Sequence, residues 1–138
     1  MIALRGTLVS GLGEGGSFVQ LTWVREAVQR LVGFDPYPGT LNVRLQGPED
    51  CQAWTSLRER PALRLVPPPG ETCGGWLVPL VIAPHIAAAV VIPDITRHPG
   101  DVLEVVAGSH VRSRLGLRDD DLVMMTDTAE SAPRVDRA

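Results

Sequence analysis

Short runs of alternating apolar and polar residues recur along the chain and predict a protein built mainly from β-strands. Clusters of Gly, Pro and Asp separate these runs at close intervals, as turns between strands require. Because many short strands with few helices are typical of barrels, the pattern predicts a closed or nearly closed β-barrel. The predicted strands span residues 4–9, 40–45, 62–66, 76–82, 87–92, 102–106 and 122–125.

One segment has the periodicity of a helix. Between Trp23 and Val32, apolar residues recur every three or four positions with charged residues opposite them, and Gly33 follows as a stop signal. This segment predicts the main α-helix. Weaker helical patterns lie at 48–58 and 109–115, and residues 18–21 are predicted to return as a hairpin partner of the first strand.

Length and charge restrict the class of protein. A chain of 138 residues, 44% of them hydrophobic, suits one domain with a substantial core. We predict a barrel domain over 1–130 and a flexible tail over 131–138. The net charge of −3 disfavours a broad nucleic-acid surface, which would be basic.

The chain also carries no pattern typical of a membrane or secreted protein. The longest apolar run, 76–92, contains Pro79, Pro84 and His85, so it predicts two buried strands around a turn rather than a membrane span. The first five residues are too short and too quickly polar for a signal peptide. Cys51 and Cys73 lack CxxC spacing and are expected to be reduced thiols. These features predict a cytoplasmic protein.

A glycine-rich segment follows the first strand and is the first candidate for ligand binding. Glycine permits φ > 0 and close approach of a ligand, and consecutive exposed N–H groups can form an anion-binding concavity. The segment matches neither the P-loop nor the Rossmann spacing, so a plain turn remains the alternative. Its residues are Gly11, Leu12, Gly13, Glu14, Gly15 and Gly16.

Thr40 and Asn42 form the second candidate. The strand 40–45 follows a rigid Pro-Gly turn, and strict alternation directs Thr40, Asn42 and Arg44 to the face opposite its apolar residues. Two neutral oxygens side by side suit a hard cation such as Mg²⁺. The alternative is that both are ordinary solvent-facing residues at the start of a strand.

Glu104 interrupts an apolar strand and shares a face with Val102 and Val106. A carboxylate there needs a partner or a ligand, because burying an unpaired charge is costly, and it could act as a base. The alternative is an edge strand on which it points to solvent.

The last candidate is the segment Ser109, His110, Val111 and Arg112, which is expected to begin a short helix. The free N–H groups at the start of this helix, together with Arg112, would attract an anion. The alternative is a helix start that faces solvent.

Taken in order, four motifs resemble the archaeal CTP-dependent riboflavin kinases over about residues 6–123. They are Gly11-x-Gly13-Glu14-Gly15-x-x-Phe18; Pro36-Tyr37-x-Gly39-Thr40-Leu41-Asn42; Ile92-Pro93 with Thr96-x-His98-x-x-Asp101-Val102-x-Glu104; and Leu115-x-Leu117-x-Asp119-x-Asp121. The resemblance implies a six-stranded cradle-loop barrel, related to the RIFT fold, with one main helix and short helical turns. It also implies phosphorylation of riboflavin to FMN with CTP as donor and CDP as product.

The resemblance also implies a role for each candidate. The segment 11–16 and the segment 109–112 would hold the nucleotide, Thr40 and Asn42 would bind Mg²⁺, and Thr96 and Glu104 would hold the flavin. Glu104 would also orient the ribityl hydroxyl and take its proton. Gly108 stands where the family usually has proline, which leaves the choice between CTP and ATP open.

Two other functions compete with the kinase. A barrel of this family could bind flavin or nucleotide without turnover, as a regulatory module, but such a binder would have no need of a metal bridge. A related DNA-binding barrel is the third reading, and the acidic balance disfavours it. The sequence does not determine the oligomeric state.

Overall fold

The computed structural model describes residues 2–10, 18–60, 62–95 and 100–127. Apart from the hairpin return predicted at 18–21, each predicted strand and helix in these ranges is confirmed to within about three residues at its ends. The strands are β1 (Ala3–Val9), β2 (Leu41–Leu45), β3 (Leu63–Leu65), β4 (Gly75–Ile82), β5 (Ile86–Pro93), β6 (Val102–Ala107) and β7 (Leu122–Asp127). The helices are α1 (Thr22–Val32), α2 (Pro48–Arg58) and α3 (Val111–Leu115).

Six of the strands close into an antiparallel barrel. The sheet order is β3-β4-β5-β6-β2-β1-β7, and β7 pairs again with β4 to complete the ring. β3 lies outside the ring and pairs with the first half of β4, at Gly75–Leu77, while β7 pairs with the second half, at Leu80–Ile82. The predicted six-stranded barrel is therefore confirmed, with a seventh strand added at its side.

Strand alternation separates two hydrophobic cores. The inner core fills the barrel with every second residue of the strands, such as Val43, Val90 and Leu103. The outer core lies between the barrel wall and α1, and includes Val28 of the helix and Val91 of β5. Burial of both faces explains why β6 is buried along its whole length.

Close packing of β1 against β2 requires a glycine at position 6. Gly6 pairs with Leu45, and a Cβ at Gly6 would lie 2.6 Å from the carbonyl oxygen of Arg44 and would collide with Cγ1 of Val43. Glycine is needed here because the neighbouring backbone leaves no room for a side chain.

Residues 18–20 are helical, so the predicted hairpin return at 18–21 is wrong. The Phe18 and Trp23 rings meet edge to face with their centroids 5.9 Å apart, and Val19 is buried in the outer core. Both edges of β1 are already paired, with β2 and β7, so neither remains for this segment to join as a strand. Helix α1 ends as predicted, because Gly33 adopts φ 87° and its N–H donates to the carbonyl of Gln29.

In the ranges that the structure describes, no helix is both long and apolar enough to cross a bilayer. Cys51 and Cys73 are free thiols, as expected. The predicted domain boundary at residue 130 and the predicted tail lie outside the described residues and stay predictions.

Candidate active site

Two buried polar side chains lie opposite each other on neighbouring strands of the barrel. Asn42 of β2 pairs with Glu104 of β6 in the antiparallel register, and Asn42 also pairs with Val9 at the end of β1. Directly opposite residues in such a pair have their Cβ atoms about 4.5–5.5 Å apart, so their side chains are neighbours. The structure therefore brings together one predicted metal ligand and the predicted catalytic base.

Both residues face the outer side of the barrel wall. Their strand neighbours Val43, Leu103 and Val105 belong to the inner core, and alternation directs Asn42 and Glu104 the other way. They are nevertheless only 7% and 4% exposed. The alternatives that Asn42 faces solvent and that Glu104 lies on an exposed edge strand are both wrong, because β6 is flanked by β5 and β2.

The amide oxygen of Asn42 is a candidate ligand atom. Oδ1 of Asn42 is buried and accepts no hydrogen bond from the part of the chain that the structure describes. A buried carbonyl oxygen without a donor costs free energy, and native proteins keep such groups mainly where a ligand, water or ion completes them. This oxygen, next to the Glu104 carboxylate, suits a hard cation such as Mg²⁺.

Within the described residues, no group of three or more His, Cys, Asp or Glu side chains could hold a metal ion. Mg²⁺ does not need such a cluster. It keeps several waters and is commonly held by one or two protein ligands plus substrate phosphates, so a site with few protein oxygens fits it. Thr40 and Asn42 remain the predicted ligands, because their side chains carry neutral oxygens of the type that Mg²⁺ accepts.

Thr40 lies at a cavity of about 130 Å³ between the turn before β2, the end of β6 and α3. The same cavity is lined by Ser109, His110, Val111 and Arg112, the predicted nucleotide segment. One of the predicted metal ligands and all four residues of that segment thus meet at a single cavity. Helix α3 is shorter than predicted and begins only at Val111, since residues 109 and 110 are not helical.

An aromatic pair forms one side of this cavity. The rings of Tyr37 and His110 have centroids 5.0 Å apart at an angle of 35°, and both residues line the cavity. The backbone N–H of Tyr37 donates to the carbonyl of Ala107 at 2.7 Å, which ties the turn to the end of β6. His110 Nδ1 also shares a hydrogen bond of 2.6 Å with the hydroxyl of Ser113.

Arg112 brings positive charge to the cavity and is held by an acid. Its Nη2 lies 2.8 Å from Oδ1 of Asp119, and the hydroxyl of Ser10 donates to Oδ2 of the same carboxylate at 2.7 Å. The hydrogen bonds from Ser10 and Arg112 lower the pKa of Asp119 below its usual value. Asp119 is therefore ionised at neutral pH and pairs with the charged guanidinium of Arg112.

Two predicted parts of the site lie outside the described residues. These are the glycine segment, residues 11–16, and the flavin residue Thr96. The described neighbours of the glycine segment are close to the site, because Val9 pairs with Asn42 and Ser10 contacts Asp119. The assignment of these segments stays a prediction.

Sequence reasoning did not single out Tyr37 or Asp119 as residues of the site. Both occur in the motifs that carry the family resemblance, but on local pattern each is typical of a turn. Their contacts join residues far apart in the chain, and the Ser10–Asp119 pair is separated by 109 positions. For both residues, membership of a family motif was the available signal.

The fold and site together define a closed six-stranded antiparallel barrel with a buried pair of polar residues, Asn42 and Glu104, on the outer side of its wall. A family model, CTP-dep_RFKase, described as "Domain of unknown function DUF120", matches residues 8–126. The chain belongs to this family, the CTP-dependent riboflavin kinases, which confirms the resemblance found in the four motifs.

Curated relatives agree with this assignment. The chain is 40% identical over 127 residues to a riboflavin kinase of Pyrobaculum calidifontis, covering 88% of this chain and 58% of that protein. It is 36% identical over 126 residues to a riboflavin kinase of Saccharolobus solfataricus, with 88% and 71% covered. It is also 36% identical over 122 residues to a riboflavin kinase of Staphylothermus marinus, with 88% of each chain covered. The chain thus spans under two thirds of the length of the Pyrobaculum relative.

Proposed function

We propose that this chain is a riboflavin kinase that transfers the γ-phosphate of CTP to the ribityl 5′-hydroxyl of riboflavin, giving FMN and CDP. Membership of the family supports the class of reaction, and the family's name supports CTP as the donor. The observation that carries the proposal is the buried, directly opposed pair of Asn42 and Glu104. A location in the cytoplasm stays part of this proposal.

In the proposed reaction, Glu104 accepts the hydrogen bond of the riboflavin 5′-hydroxyl and takes its proton as the new O–P bond forms. The bond between the γ-phosphorus and the β–γ bridging oxygen breaks, and CDP leaves with the electron pair. Phosphoryl transfer depends mainly on positioning and charge stabilisation, so a single buried carboxylate beside the reacting groups is sufficient as base.

Thr40 and Asn42 are the proposed ligands of Mg²⁺, which when bound would neutralise charge on the reacting phosphates. The buried Oδ1 of Asn42, which accepts no hydrogen bond from the described residues, supports this assignment. The residues 109–112 and the glycine segment 11–16 would hold the nucleotide, and Thr96 would hold the flavin with Glu104. All thirteen basic residues of the chain are arginine, so any side-chain contact with phosphate that is positively charged comes from Arg. Arg112 lines the cavity and would supply this charge.

The test is an assay of the purified chain with riboflavin, Mg²⁺ and each of CTP, ATP, GTP and UTP, with FMN separated from riboflavin by chromatography. We expect FMN with CTP, and no FMN after chelation of the metal. Product with ATP alone would retain the kinase and contradict the donor. No product with any donor, together with measurable binding of riboflavin or CTP, would instead favour the non-catalytic binding barrel.

A further inference from the structure

Asp119 joins two segments that approach the proposed nucleotide site from different parts of the chain. Its Oδ2 accepts a hydrogen bond from Ser10, the last described residue before the glycine segment, and its Oδ1 pairs with Arg112 at the cavity. Both carboxylate oxygens are therefore used, one on each segment.

The turn that carries Asp119 is fixed to the end of β1. The N–H of Asp120 donates to the carbonyl of Leu8 at 2.8 Å, and the N–H of Leu8 donates to the carbonyl of Asp121 at 3.0 Å. Within the turn, Asp121 accepts a hydrogen bond from the N–H of Arg118 at 2.8 Å. The carboxylate is thus presented from a backbone that these hydrogen bonds hold in place.

Holding Arg112 in advance favours binding of an anion. An arginine side chain loses rotamer freedom when it binds a ligand, and a partner that fixes it beforehand removes part of that cost. The guanidinium has five N–H donors in a rigid fork, so pairing of Nη2 with Asp119 leaves others for a ligand. Asp119 itself is 52% exposed at its side chain, and exposed ion pairs contribute little to folding stability.

We propose that Asp119 is a positioning residue for the nucleotide, which holds Arg112, and Ser10 at the end of β1, in the arrangement that binds the donor's phosphates. This inference rests on the proposed function. It assigns Asp119 an effect on nucleotide affinity, through Arg112, and none on riboflavin or on the chemical step.

The experiment compares Asp119→Asn with Asp120→Asn. The two substitutions remove the same charge from adjacent positions, and Asn tolerates the left-handed conformation of Asp120 (φ 72°) as Asp does. Calorimetric titration with CTP and Mg²⁺, and separately with CDP, measures affinity without needing turnover. We expect Asp119→Asn to weaken nucleotide binding about tenfold, the scale of one lost charge-assisted hydrogen bond, and Asp120→Asn to leave it unchanged.

A double-mutant cycle tests whether the effect passes through Arg112. If it does, adding Asp119→Asn to Arg112→Gln will weaken CTP binding far less than Asp119→Asn does alone. In kinetic assays, the KM for CTP should rise while kcat and the KM for riboflavin stay within about twofold of wild type.

Equal losses in the two Asn variants, additive effects in the cycle, or a matching rise in the KM for riboflavin would each overturn the role of Asp119. Nucleotide binding by the wild type without turnover would contradict the kinase alone, and the titrations would still decide the role of Asp119. A wild type that binds no nucleotide would overturn both proposals.

Discussion

Asn42 and Glu104 face each other across β2 and β6, and each is more than nine-tenths buried. Burying polar side chains in a barrel wall costs free energy unless hydrogen bonds, ion pairs or a ligand satisfy them. The antiparallel register also sets Asn42 beside Val9, at the point where β1 ends and the glycine segment is about to begin. This relationship is the basis of the first two predictions.

Replacing Asn42 with Ala should separate activity from stability. The change removes the proposed ligand oxygen, so we expect the Mg²⁺ concentration for half-maximal activity to rise by about tenfold or more. Because Oδ1 has no donor among the described residues, its removal should leave the melting temperature equal to that of wild type or slightly higher. Activity measured across a magnesium titration, with thermal unfolding in parallel, checks both. An unchanged magnesium requirement would exclude Asn42 as a ligand.

Replacing Glu104 with Gln keeps the shape of the side chain and removes the base. We expect kcat to fall by about 10²–10⁴-fold, the usual contribution of general base catalysis, while CTP affinity stays nearly unchanged. Steady-state kinetics and calorimetric titration of CTP measure the two quantities. A variant that turns over like the wild type would remove Glu104 from the mechanism.

The Tyr37–His110 ring pair should contribute to nucleotide binding. If the cavity holds part of the nucleotide, Tyr37→Ala removes an aromatic contact and should weaken CTP binding about two- to tenfold, whereas Tyr37→Phe keeps the ring and should have little effect. Tyr37 is 44% exposed, so neither change should unfold the protein. Equal affinities of the Ala variant and the wild type would contradict this role.

Gly6 should be one of the least replaceable residues of the barrel. In Gly6→Ala, the added methyl would meet Val43 and the backbone of Arg44, so we expect a loss of about 1–3 kcal/mol in the free energy of unfolding. Gly100→Ala is the matched control, because its Cβ would have open space and its φ lies outside the left-handed region. Denaturant unfolding of the two variants measures the difference, and similar losses in both would contradict the packing argument.

The Arg64–Asp94 pair should make stability depend on pH in the acid range. Two hydrogen bonds, of 2.8 and 2.9 Å, join the groups, and the hydrogen bond from Arg64 is the main cause that lowers the pKa of Asp94 from its usual 3.8. Because the pKa of Asp94 is lower in the folded protein than the usual 3.8, the carboxylate stabilises the fold above pH 3.8. This stabilisation is lost as the pH falls through the pKa that Asp94 has in the folded protein. The melting temperature of wild type should therefore exceed that of Asp94→Asn at neutral pH and converge with it in acid. The difference should be small, because the pair is exposed; a constant difference down to low pH would contradict the linkage.

Local pattern was sufficient for most of the barrel. Alternation in 40–45 predicted that Leu41, Val43 and Leu45 point to the core, and the spacing between Trp23 and Val32 predicted α1, because these signals depend only on neighbouring residues. The error at 18–21 arose where tertiary contacts decide the structure. The ring of Phe18 packs against Trp23 of α1, and residues 18–20 are helical instead of forming a strand in the sheet.

The site was less accessible to sequence reasoning, because burial is a property of the assembled fold. Alternation directs Asn42 away from the barrel interior, which on its own predicts exposure. The outer core under α1 lies on that side of the barrel and includes Val91 and Val106 next to Glu104, and nothing in the residues of β2 indicates it. The contacts of Asp119 with Ser10 and of Tyr37 with His110 likewise depend on strand order, which the pattern of single segments does not give.

The first and last residues that the structure describes are hydrogen-bonded to each other. Asp127 N–H donates to the carbonyl of Ile2 at 3.0 Å, and the N–H of Ile2 donates to the Asp127 carboxylate, which also binds Arg60 at 2.7 Å. The described part of the barrel thus begins, before β1, beside the residue that ends β7, an arrangement under which circular permutation is tolerated. A short linker from Asp127 to Ile2, with a new opening in an exposed turn such as 69–72, should give a barrel that still folds, and a domain fused directly to either residue would emerge from the same corner of the barrel.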